Sequence, residues 1–348
     1  MVTLKDIAQK VNRSVTTVSR ALAECDDVSK ETIRVVKQAA EEMGYVPNSI
    51  AQKLQKQSTD TIGVVAPVSS KGYAEPFFCE LLSGIGEQAS RFGYDLLVAY
   101  VHDHDELDVY RKLVAERKVD GFILSRMMVD DVRPQYLSSI NFPFTAFGRI
   151  EGDLDHPYVE EDGEYAMDLI ADHLISRGHT RIGCISPPLS VLYAKVRLQG
   201  LTQGLEKRGL QLDSNLVYLG AFDQEDGYYG ADKLLDQQNP PTAIVAFNDL
   251  IAFGAINAGK DHGLRIGSDL AVTGFDDIPM AAMYRPPLTT IHQPIKEIGQ
   301  MVTSSLIDII HEKFNRTGQD NPLDATYQPS HKQRQLLLRP NLIIRASS

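Results

Sequence analysis

The sequence predicts a small all-α head, a helix-turn-helix, followed by an α/β body made of two doubly wound parallel-sheet subdomains. Segment 4–22 carries apolar residues at helical spacing in two short bursts, with a polar interruption between them. From residue 61 onward, short apolar runs alternate with amphipathic helical segments in two successive sets. This alternation is typical of buried strands covered by helices on both faces.

The polar interruption in the head predicts a tight turn between two helices. Asn12 can adopt the left-handed conformation that ends a helix, and Ser14 can cap the next one. The second helix would bury Val18, Ala21 and Leu22. Its outer face would then carry mainly hydroxyl groups and one cation, on Val15, Thr16, Thr17, Ser19 and Arg20.

This outer face has the composition of a DNA-reading helix. Hydroxyl groups and helix N-terminal N–H groups bind phosphate oxygens, and an arginine can bond guanine bidentately in the major groove. The alternative is an ordinary amphipathic helix pair whose polar face is merely solvated. The following segments favour DNA binding.

A third helix should begin after Ser29, which can cap it, and end at Gly44. Beyond Pro47, Asn48 can cap a further helix of about two turns, too short to be stable alone in water. The apolar residues of that helix, which include Ala51 and Leu54, have no obvious core to join. We therefore expect it to fold only when docked on something.

These segments resemble the N-terminus of the lactose-repressor (LacI/GalR) family of bacterial transcription regulators. The resemblance rests on TLKDIAQKV, SVTTVSRAL, VSKETI, AEEMGYVPNSIAQKL and TIGVV, within residues 3–65. It implies that three residues read bases in the major groove and three hold phosphates, respectively Val15, Thr16 and Arg20, and Ser14, Thr17 and Ser19. It also implies a hinge helix over 48–54, which contains Asn48 and Ala51, with Leu54 inserted in the minor groove at the operator centre.

The chain departs from the family pattern at three places in the head and hinge. Asn12-Arg13 stands where the family usually has Gly-Val, and Ala23 stands where it has Asn. Gln52 and Lys53 stand where the hinge often carries an arginine. These departures bear on the operator sequence more than on the act of binding.

Charge is distributed unevenly along the 348 residues, whose net charge is −11. Residues 1–58 hold nine Lys/Arg and seven Asp/Glu, a net +2, and the rest of the chain carries −13. The acidic body would repel DNA, so a weakly basic head needs a dimer and specific contacts for useful affinity.

The three cysteines, Cys25, Cys79 and Cys184, are far apart and form no C-x-x-C pair. We read them as free thiols in a reducing cytoplasm, with no metal site. The absence of a signal peptide or a long apolar run agrees with a cytoplasmic location.

The body contains two sets of predicted strands and helices. The first set has strands at 61–67, 94–101, 120–125 and 142–148, and helices at 78–92, 105–118 and 130–140. The second has strands at 180–186, 215–219, 243–247 and 270–275, and helices at 163–177, 194–209, 225–237 and 249–262. The C-terminal part should contain a helix over 295–313, a loop over 315–333, and strand-like residues over 335–347 with a break at Pro340.

The family resemblance implies a periplasmic-binding-protein-like body in which the chain crosses between subdomains three times. It places 61–161 and 293–325 in the first subdomain, and 162–290 and 330–348 in the second. The head would span 1–46, and the hinge and linker 47–60. Ligands bind outside the carboxyl ends of parallel strands and at domain interfaces, which predicts a cleft between the two subdomains.

Several strings suggest enzyme chemistry and fail on inspection. The segment from Gly254 to Lys260 lacks the Ser or Thr of a P-loop and ends a helix instead of opening one. Gly84 and Gly86 lie within a helical pattern, where close packing explains them better than a dinucleotide site. The acidic segment from His102 to Glu106 is typical of a loop and helix cap. With no catalytic triad either, we predict no enzyme, cofactor or metal.

Polar residues at strand ends provide candidates for effector binding in the cleft. Arg197, Asn248 and Asp276 could bond neighbouring sugar hydroxyls, and Phe222 could stack on the sugar ring. Asn248 and Asp276 could equally be helix caps, a role compatible with ligand contact. The resemblance implies effector contact for these four residues, and also for Phe77, Arg149, Tyr193 and Gln293.

We therefore expect a homodimer on a pseudo-palindromic double-stranded operator, controlled by a small effector, most simply a carbohydrate. A purine-like corepressor is the alternative effector. A solute-binding protein without DNA function is the alternative class, which the head opposes.

Overall fold

The computed structural model describes residues 2–22, 24–25, 27–45, 58–67, 76–101, 106–152, 156–314 and 335–348. The chain divides into two compact units, Met1–Thr59 and Asp60–Ser348. The predicted hinge helix, with Asn48, Ala51 and Leu54, lies outside the described residues, as does the whole of the predicted loop 315–333. No helix within the described residues is long and apolar enough to cross a membrane.

The described part of the first unit contains helices α1 (Leu4–Lys10), α2 (Val15–Leu22) and α3 (Lys30–Glu42). One apolar residue from each helix is completely buried at their junction: Ile7, Val18 and Val36. Tight packing of these side chains supplies stability that helices this short lack in isolation. Thr3 and Asp6 form a capping box that satisfies two N–H groups at the start of α1.

The predicted turn signals are confirmed. Asn12 has φ 51°, in the left-handed region, and Gly44 has φ 65° just beyond α3. The Ser14 hydroxyl accepts the Thr17 N–H at 3.0 Å and so caps α2, while the Ser29 hydroxyl accepts the Thr32 N–H at 3.2 Å and caps α3.

The first sheet of the body is parallel throughout, with the order β11-β5-β4-β3-β1-β2. Its strands are β1 (Thr61–Pro67), β2 (Asp95–Val101), β3 (Gly121–Leu124), β4 (Phe144–Phe147), β5 (Tyr158–Glu161) and β11 (Gln335–Leu338). The helices of this subdomain are α4 (Pro76–Arg91), α5 (Glu106–Ala115), α6 (Val132–Ser139) and α12 (Ile295–Lys313). Ile62 and Val64 belong to one buried cluster and Val65 to another, as expected of a sheet covered on both faces.

The second sheet has the order β12-β10-β9-β8-β6-β7 and is parallel except at β12, which pairs antiparallel with β10. Its strands are β6 (Ile182–Ser186), β7 (Val217–Leu219), β8 (Ala243–Ala246), β9 (Ala271–Asp276), β10 (Thr289–His292) and β12 (Asn341–Ile343). The helices of this subdomain are α7 (Gly163–Ser176), α8 (Leu192–Glu206), α9 (Gln224–Leu235), α10 (Asp249–Asp261) and the short α11 (Pro279–Met283). Alternate residues of β8 enter opposite buried clusters, so helices cover both faces here too.

Two details of the predicted topology are corrected by the structure. We expected all the residues after 330 in the second subdomain, but β11 pairs with β5 in the first sheet and only β12 lies in the second. The chain therefore crosses at Arg339 and Pro340. Strand β5 was also missed, because its sequence YVEE ends in two acidic residues that hide the apolar pattern. Those residues are nevertheless half-buried or buried.

Two of the glycines that suggested nucleotide motifs serve helix packing. A Cβ on Gly84 would lie 2.0 Å from the carbonyl oxygen of Lys296, and one on Gly254 would lie 2.1 Å from that of Gln224. Helix α4 therefore meets α12, and α10 meets α9, at backbone contact distance, which only glycine permits. This confirms the packing interpretation at Gly84, and it gives Gly254 the same role.

Gly84→Ala should destabilise the body, because the new methyl group forces α4 away from α12. We expect a loss of about 1–3 kcal/mol in the free energy of unfolding, measured by urea denaturation with circular dichroism. Gly86→Ala in the same helix is the matched control, since its Cβ would meet Leu96 at an ordinary 3.8 Å. The control should be neutral or stabilising by up to about 1 kcal/mol. Equal losses in the two variants would contradict the packing argument.

Candidate DNA-binding head and effector cleft

Helix α2 presents the predicted polar face to solvent. Val15 is 39% exposed despite being apolar, and Thr16 and Arg20 are exposed, while Thr17 and Ser19 are half-buried. The hydroxyl groups of Ser14 and Thr17 lie 2.8 Å apart at the start of the helix. Backbone N–H groups at a helix N-terminus favour anions, so this end of α2 suits a phosphate.

The Arg20 guanidinium is engaged in an ion pair that DNA could replace. Its Nη2 lies 2.6 Å from Oδ2 of Asp27, and both side chains are about half exposed. An exposed ion pair contributes little to stability, so exchange of Asp27 for a base edge or a phosphate costs little. The predicted role of Arg20 in base reading thus fits its position and remains a prediction.

In the body, Arg197 brings together the carboxyl ends of two strands of the second sheet. It lies on α8, is buried, and donates from Nη1 to the carbonyl oxygen of Phe247 at 2.5 Å. Its guanidinium carbon is 3.3 Å from the Phe275 ring centroid and 4.7 Å from that of Tyr193. The cation is therefore held by ring faces and a carbonyl at the edge where a ligand is expected.

Asn248 joins a second pair of predicted residues. Its Oδ1 accepts the N–H of Ile251 at 2.7 Å and caps α10, as the alternative interpretation proposed. Its Nδ2 donates to the carbonyl oxygen of Phe222 at 3.0 Å. The amide thus positions the loop that carries the Phe222 ring, which is 40% exposed.

Asp276 and Gln293 form the third predicted pair. Gln293 Nε2 donates to Asp276 Oδ1 at 2.7 Å, and Gln293 Oε1, in a side chain only 2% exposed, has no hydrogen-bond partner among the described residues. Asp276 has φ 117° and Asp277 has φ 56°, so the end of β9 is backbone-strained at two non-glycine residues. Strain of this kind clusters at ligand sites.

The neighbouring Asp277 is held within the protein. Its carboxylate accepts from Nη2 of Arg345 at 2.7 Å, and its other oxygen lies 3.0 Å from Nδ1 of His292. These contacts fix the strained turn from β10 and from the segment after β12.

The two predicted residues of the first subdomain lie beyond the carboxyl ends of β1 and β4. Phe77 stacks on Phe147 with a centroid distance of 5.7 Å and an interplanar angle of 27°. Arg149 forms an ion pair with Glu160. The pairing neutralises the Arg149 charge, and effector contact by this residue remains a prediction.

Glu161 is a candidate site residue that the sequence did not reveal. It ends β5, is 6% exposed, and its Oε1 has no hydrogen-bond partner among the described residues. Burial raises the pKa of its carboxyl to about 8, although the positive charge of Arg197 lowers it. Glu161 was missed because β5 was missed. A prediction of that strand would have placed Glu161 at its carboxyl end, where ligand-binding residues are expected.

The two subdomains also bond to each other directly. The N–H of Val129 donates to the carbonyl oxygen of Ser190 at 2.8 Å, and the N–H of Leu192 donates to that of Met127 at 2.9 Å. The Leu192 side chain packs in the core of the first subdomain, so the first residue of α8, a helix of the second subdomain, is buried in the first. A change in the angle between the subdomains must break or shift these contacts.

The comparisons with known proteins agree with this architecture. The family model of bacterial regulatory proteins, lacI family, matches residues 3–48. That of periplasmic binding proteins and sugar binding domain of LacI family matches residues 59–329.

Similar individual proteins cover nearly the whole chain. It is 31% identical over 345 residues to the HTH-type transcriptional repressor PurR of Aliivibrio salmonicida, covering 95% of this chain and 100% of PurR. A solved complex of the transcriptional regulator CelR with cellobiose matches with TM-score 0.73 and 30% identity over 100% of both chains. The lac repressor dimer bound to operator and the anti-inducer ONPF matches with TM-score 0.81 and 26% identity, over 99% of this chain and 98% of that one.

A helix-turn-helix head and a two-subdomain body with a cleft define a ligand-controlled DNA-binding regulator. The chain belongs to the lacI family of bacterial regulatory proteins. It is a DNA-binding transcriptional repressor with an effector-binding body, and it is not an enzyme.

The pKa of Glu161 predicts how stability depends on pH. The unfolded carboxyl ionises near 4.5, whereas the folded one keeps its proton up to about pH 8. The stabilising contribution of Glu161 to the free energy of unfolding is therefore complete below pH 4.5 and is lost as the pH rises through 8. Glu161→Gln mimics the neutral acid, so above pH 8 it should be more stable than the parent by on the order of a few kcal/mol.

Thermal unfolding of both proteins, followed by circular dichroism between pH 4.5 and 9, measures this difference. The two midpoints should agree near pH 4.5 and diverge with rising pH. Parallel curves across the whole range would mean that Glu161 is already ionised in the folded protein.

Proposed function

We propose that this protein is a homodimeric repressor of carbohydrate-utilisation genes that binds a pseudo-palindromic operator and is controlled by a sugar in the inter-subdomain cleft. Its DNA target places it in the cytoplasm. The observation that carries the effector class is the pair of buried acceptors, Glu161 Oε1 and Gln293 Oε1, that lack a partner among the described residues.

A buried acceptor without a donor costs free energy, on the order of 1–3 kcal/mol, that a ligand donor would recover. Sugar hydroxyls are such donors, and they occur in vicinal sets on one ring. The neutral Glu161 carboxyl can also donate its own proton to a sugar oxygen.

These acceptors belong to one connected cluster. Glu161 interacts electrostatically with Arg197, and Arg197 contacts Phe275, the residue before Asp276. Asp276 in turn accepts from Gln293. The exposed ring of Phe222, anchored by Asn248, offers the apolar face that stacks on a pyranose ring. The similar CelR was solved with cellobiose, which agrees with this effector class.

The proposed homodimer uses an apolar surface of the second subdomain. The short α11 exposes Met280 and Met283, the latter to 67%. Exposed methionines on one short helix are typical of a contact face, because the flexible thioether adapts to a partner. The similar lac repressor was solved as a dimer on its operator.

Control would pass from cleft to head through the angle between the subdomains. An effector that binds the body more tightly at one angle than at another shifts the population toward that angle. The coupling free energy is about 1–3 kcal/mol for typical regulators. The direct bonds of Val129 and Leu192 across the interface hold the observed angle, so an effector that favours another angle must break or shift them. The hinge helix, with Leu54 as its minor-groove wedge, would transmit the change of angle to the DNA.

The effector class is tested by a thermal-shift screen of mono- and disaccharides, glycosides, purine bases and nucleosides. A carbohydrate at about 100 times its Kd should stabilise the body by about 2.7 kcal/mol. Phe222→Ala should weaken that ligand by about tenfold or more, since it removes the stacking face. Tyr229→Ala, an exposed aromatic on α9 that lies away from these contacts, is the control. A response to purines alone would refute the carbohydrate and leave the repressor intact.

The DNA role is tested by electrophoretic shift on the duplex upstream of the gene. Arg20→Ala should weaken specific binding by about 1–3 kcal/mol per half-site, because it removes the base-reading cation. Arg34→Ala is the matched control, as this arginine lies on α3 and pairs with Glu31 of its own helix. If both variants bound the operator like the parent, α2 would not be the reading helix.

A further inference from the structure

We propose that the second subdomain carries a divalent transition-metal site of the Zn²⁺ type, formed by Asp232, Asp236 and His262. The site lies at the C-terminal ends of α9 and α10. It is separate from the effector cleft, which lies at the N-terminal ends of the same helices, about 18 Å away along a helix of twelve residues.

The three side chains converge from two elements. Asp232 and Asp236 are one helical turn apart, so their carboxylates share one face at the end of α9. His262 is the C-terminal cap residue of α10. Its Nε2 lies 2.9 Å from Asp232 Oδ1 and 4.0 Å from Asp236 Oδ1, and the three ligand atoms all lie within 4.8 Å of one another.

This spacing suits one ion of ordinary size. Ligands bound to Zn²⁺ at about 2.0–2.2 Å lie roughly 3–3.5 Å from each other in tetrahedral or octahedral geometry. The separations of 2.9 and 4.0 Å from His262 Nε2 lie on either side of that range. Small rotations of the two carboxylates would therefore bring all three ligand atoms to bonding distance of one ion. The contact between His262 Nε2 and Asp232 Oδ1 shows that both groups already face one point, where the ion would replace the proton that they share.

The scaffold holds the ligands in place. A Cβ on Gly227 of α9 would lie 2.3 Å from the carbonyl oxygen of Ile251, and one on Gly254 of α10 would lie 2.1 Å from that of Gln224. Two helices at backbone contact cannot slide past each other without a clash. The separation of the aspartates from His262 is therefore fixed by packing and not by the exposed side chains themselves.

The ligand set selects the class of ion. One imidazole and two carboxylates match Zn²⁺, Co²⁺ or Ni²⁺, whereas Mg²⁺ and Ca²⁺ take oxygen ligands. The His262 side chain is 24% exposed and that of Asp236 73%, so water can fill the remaining positions. Lys233 lies between the two aspartates in the sequence, but its Nζ is placed over the Tyr218 ring, 5.2 Å from the ring centroid.

The sequence predicted no metal here, because residues 232, 236 and 262 form no recognisable spacing motif. Only the packing of α9 on α10 brings His262 to the aspartates. A bound ion would cross-link the ends of these helices and stabilise the second subdomain with or without effector or DNA.

Isothermal titration of the full-length, chelator-treated protein with ZnCl₂ tests the site. We expect one Zn²⁺ per chain and a rise in the thermal midpoint. Asp236→Asn and His262→Asn should each weaken binding by more than about tenfold, since even indirect supporting residues cost 10–100-fold. Asp236 is too exposed for its substitution to disturb folding, which circular dichroism would verify.

His179→Asn is the matched control, because His179 is a half-buried histidine that bonds Thr242 and has no carboxylate partner among the described residues. It should bind Zn²⁺ like the parent. Unchanged affinity in both Asp236→Asn and His262→Asn would place the ion elsewhere and overturn the proposal. A lack of binding by the parent at millimolar ZnCl₂ would overturn it equally. Neither result touches operator binding, so the repressor function is tested independently.

Discussion

The body depends on one topological constraint: the chain passes between its two sheets at Glu161–Asp162, at Gln293–Pro294 and at Arg339–Pro340. Each crossing lies at a strand end, so polar residues of both subdomains gather where parallel strands present their carboxyl ends. The Asp162 N–H bonds the Leu338 carbonyl oxygen, which ties two crossings together. The site is thus a consequence of how the sheets are connected, and its residues come from segments far apart in the chain.

Burial at these crossings sets the chemistry of the cleft. Arg197 satisfies its charge with a carbonyl oxygen and two aromatic faces, and the nearby Glu161 is kept neutral by the loss of solvent. Asp276 accepts from Gln293 while its backbone stays strained. Two acceptors are left without donors among the described residues. Such an arrangement is unfavourable without a ligand donor, which supports the proposed donor-rich effector.

The same glycine-mediated helix contacts serve two purposes in the second subdomain. Gly227 and Gly254 bring α9 and α10 to backbone contact, which fixes the Phe222 loop and Asn248 at one end. At the other end of the two helices, the same contact brings Asp232 and Asp236 close to His262. Both ends therefore depend on the same close contact between two helices.

The sequence by itself determined what depends on near neighbours in the chain. Caps at Ser14 and Ser29, the left-handed Asn12, and most strands and helices from 61 to 313, though not β5, follow from local sterics, hydrogen bonding and hydrophobic periodicity. Tertiary structure alone decided what depends on burial and long-range approach. It placed β11 in the first sheet, paired Arg149 with Glu160, and made Glu161 a neutral acid at the cleft. The pKa of a carboxyl and the approach of His262 to Asp232 depend on which distant segments exclude water around them, and no local pattern records that.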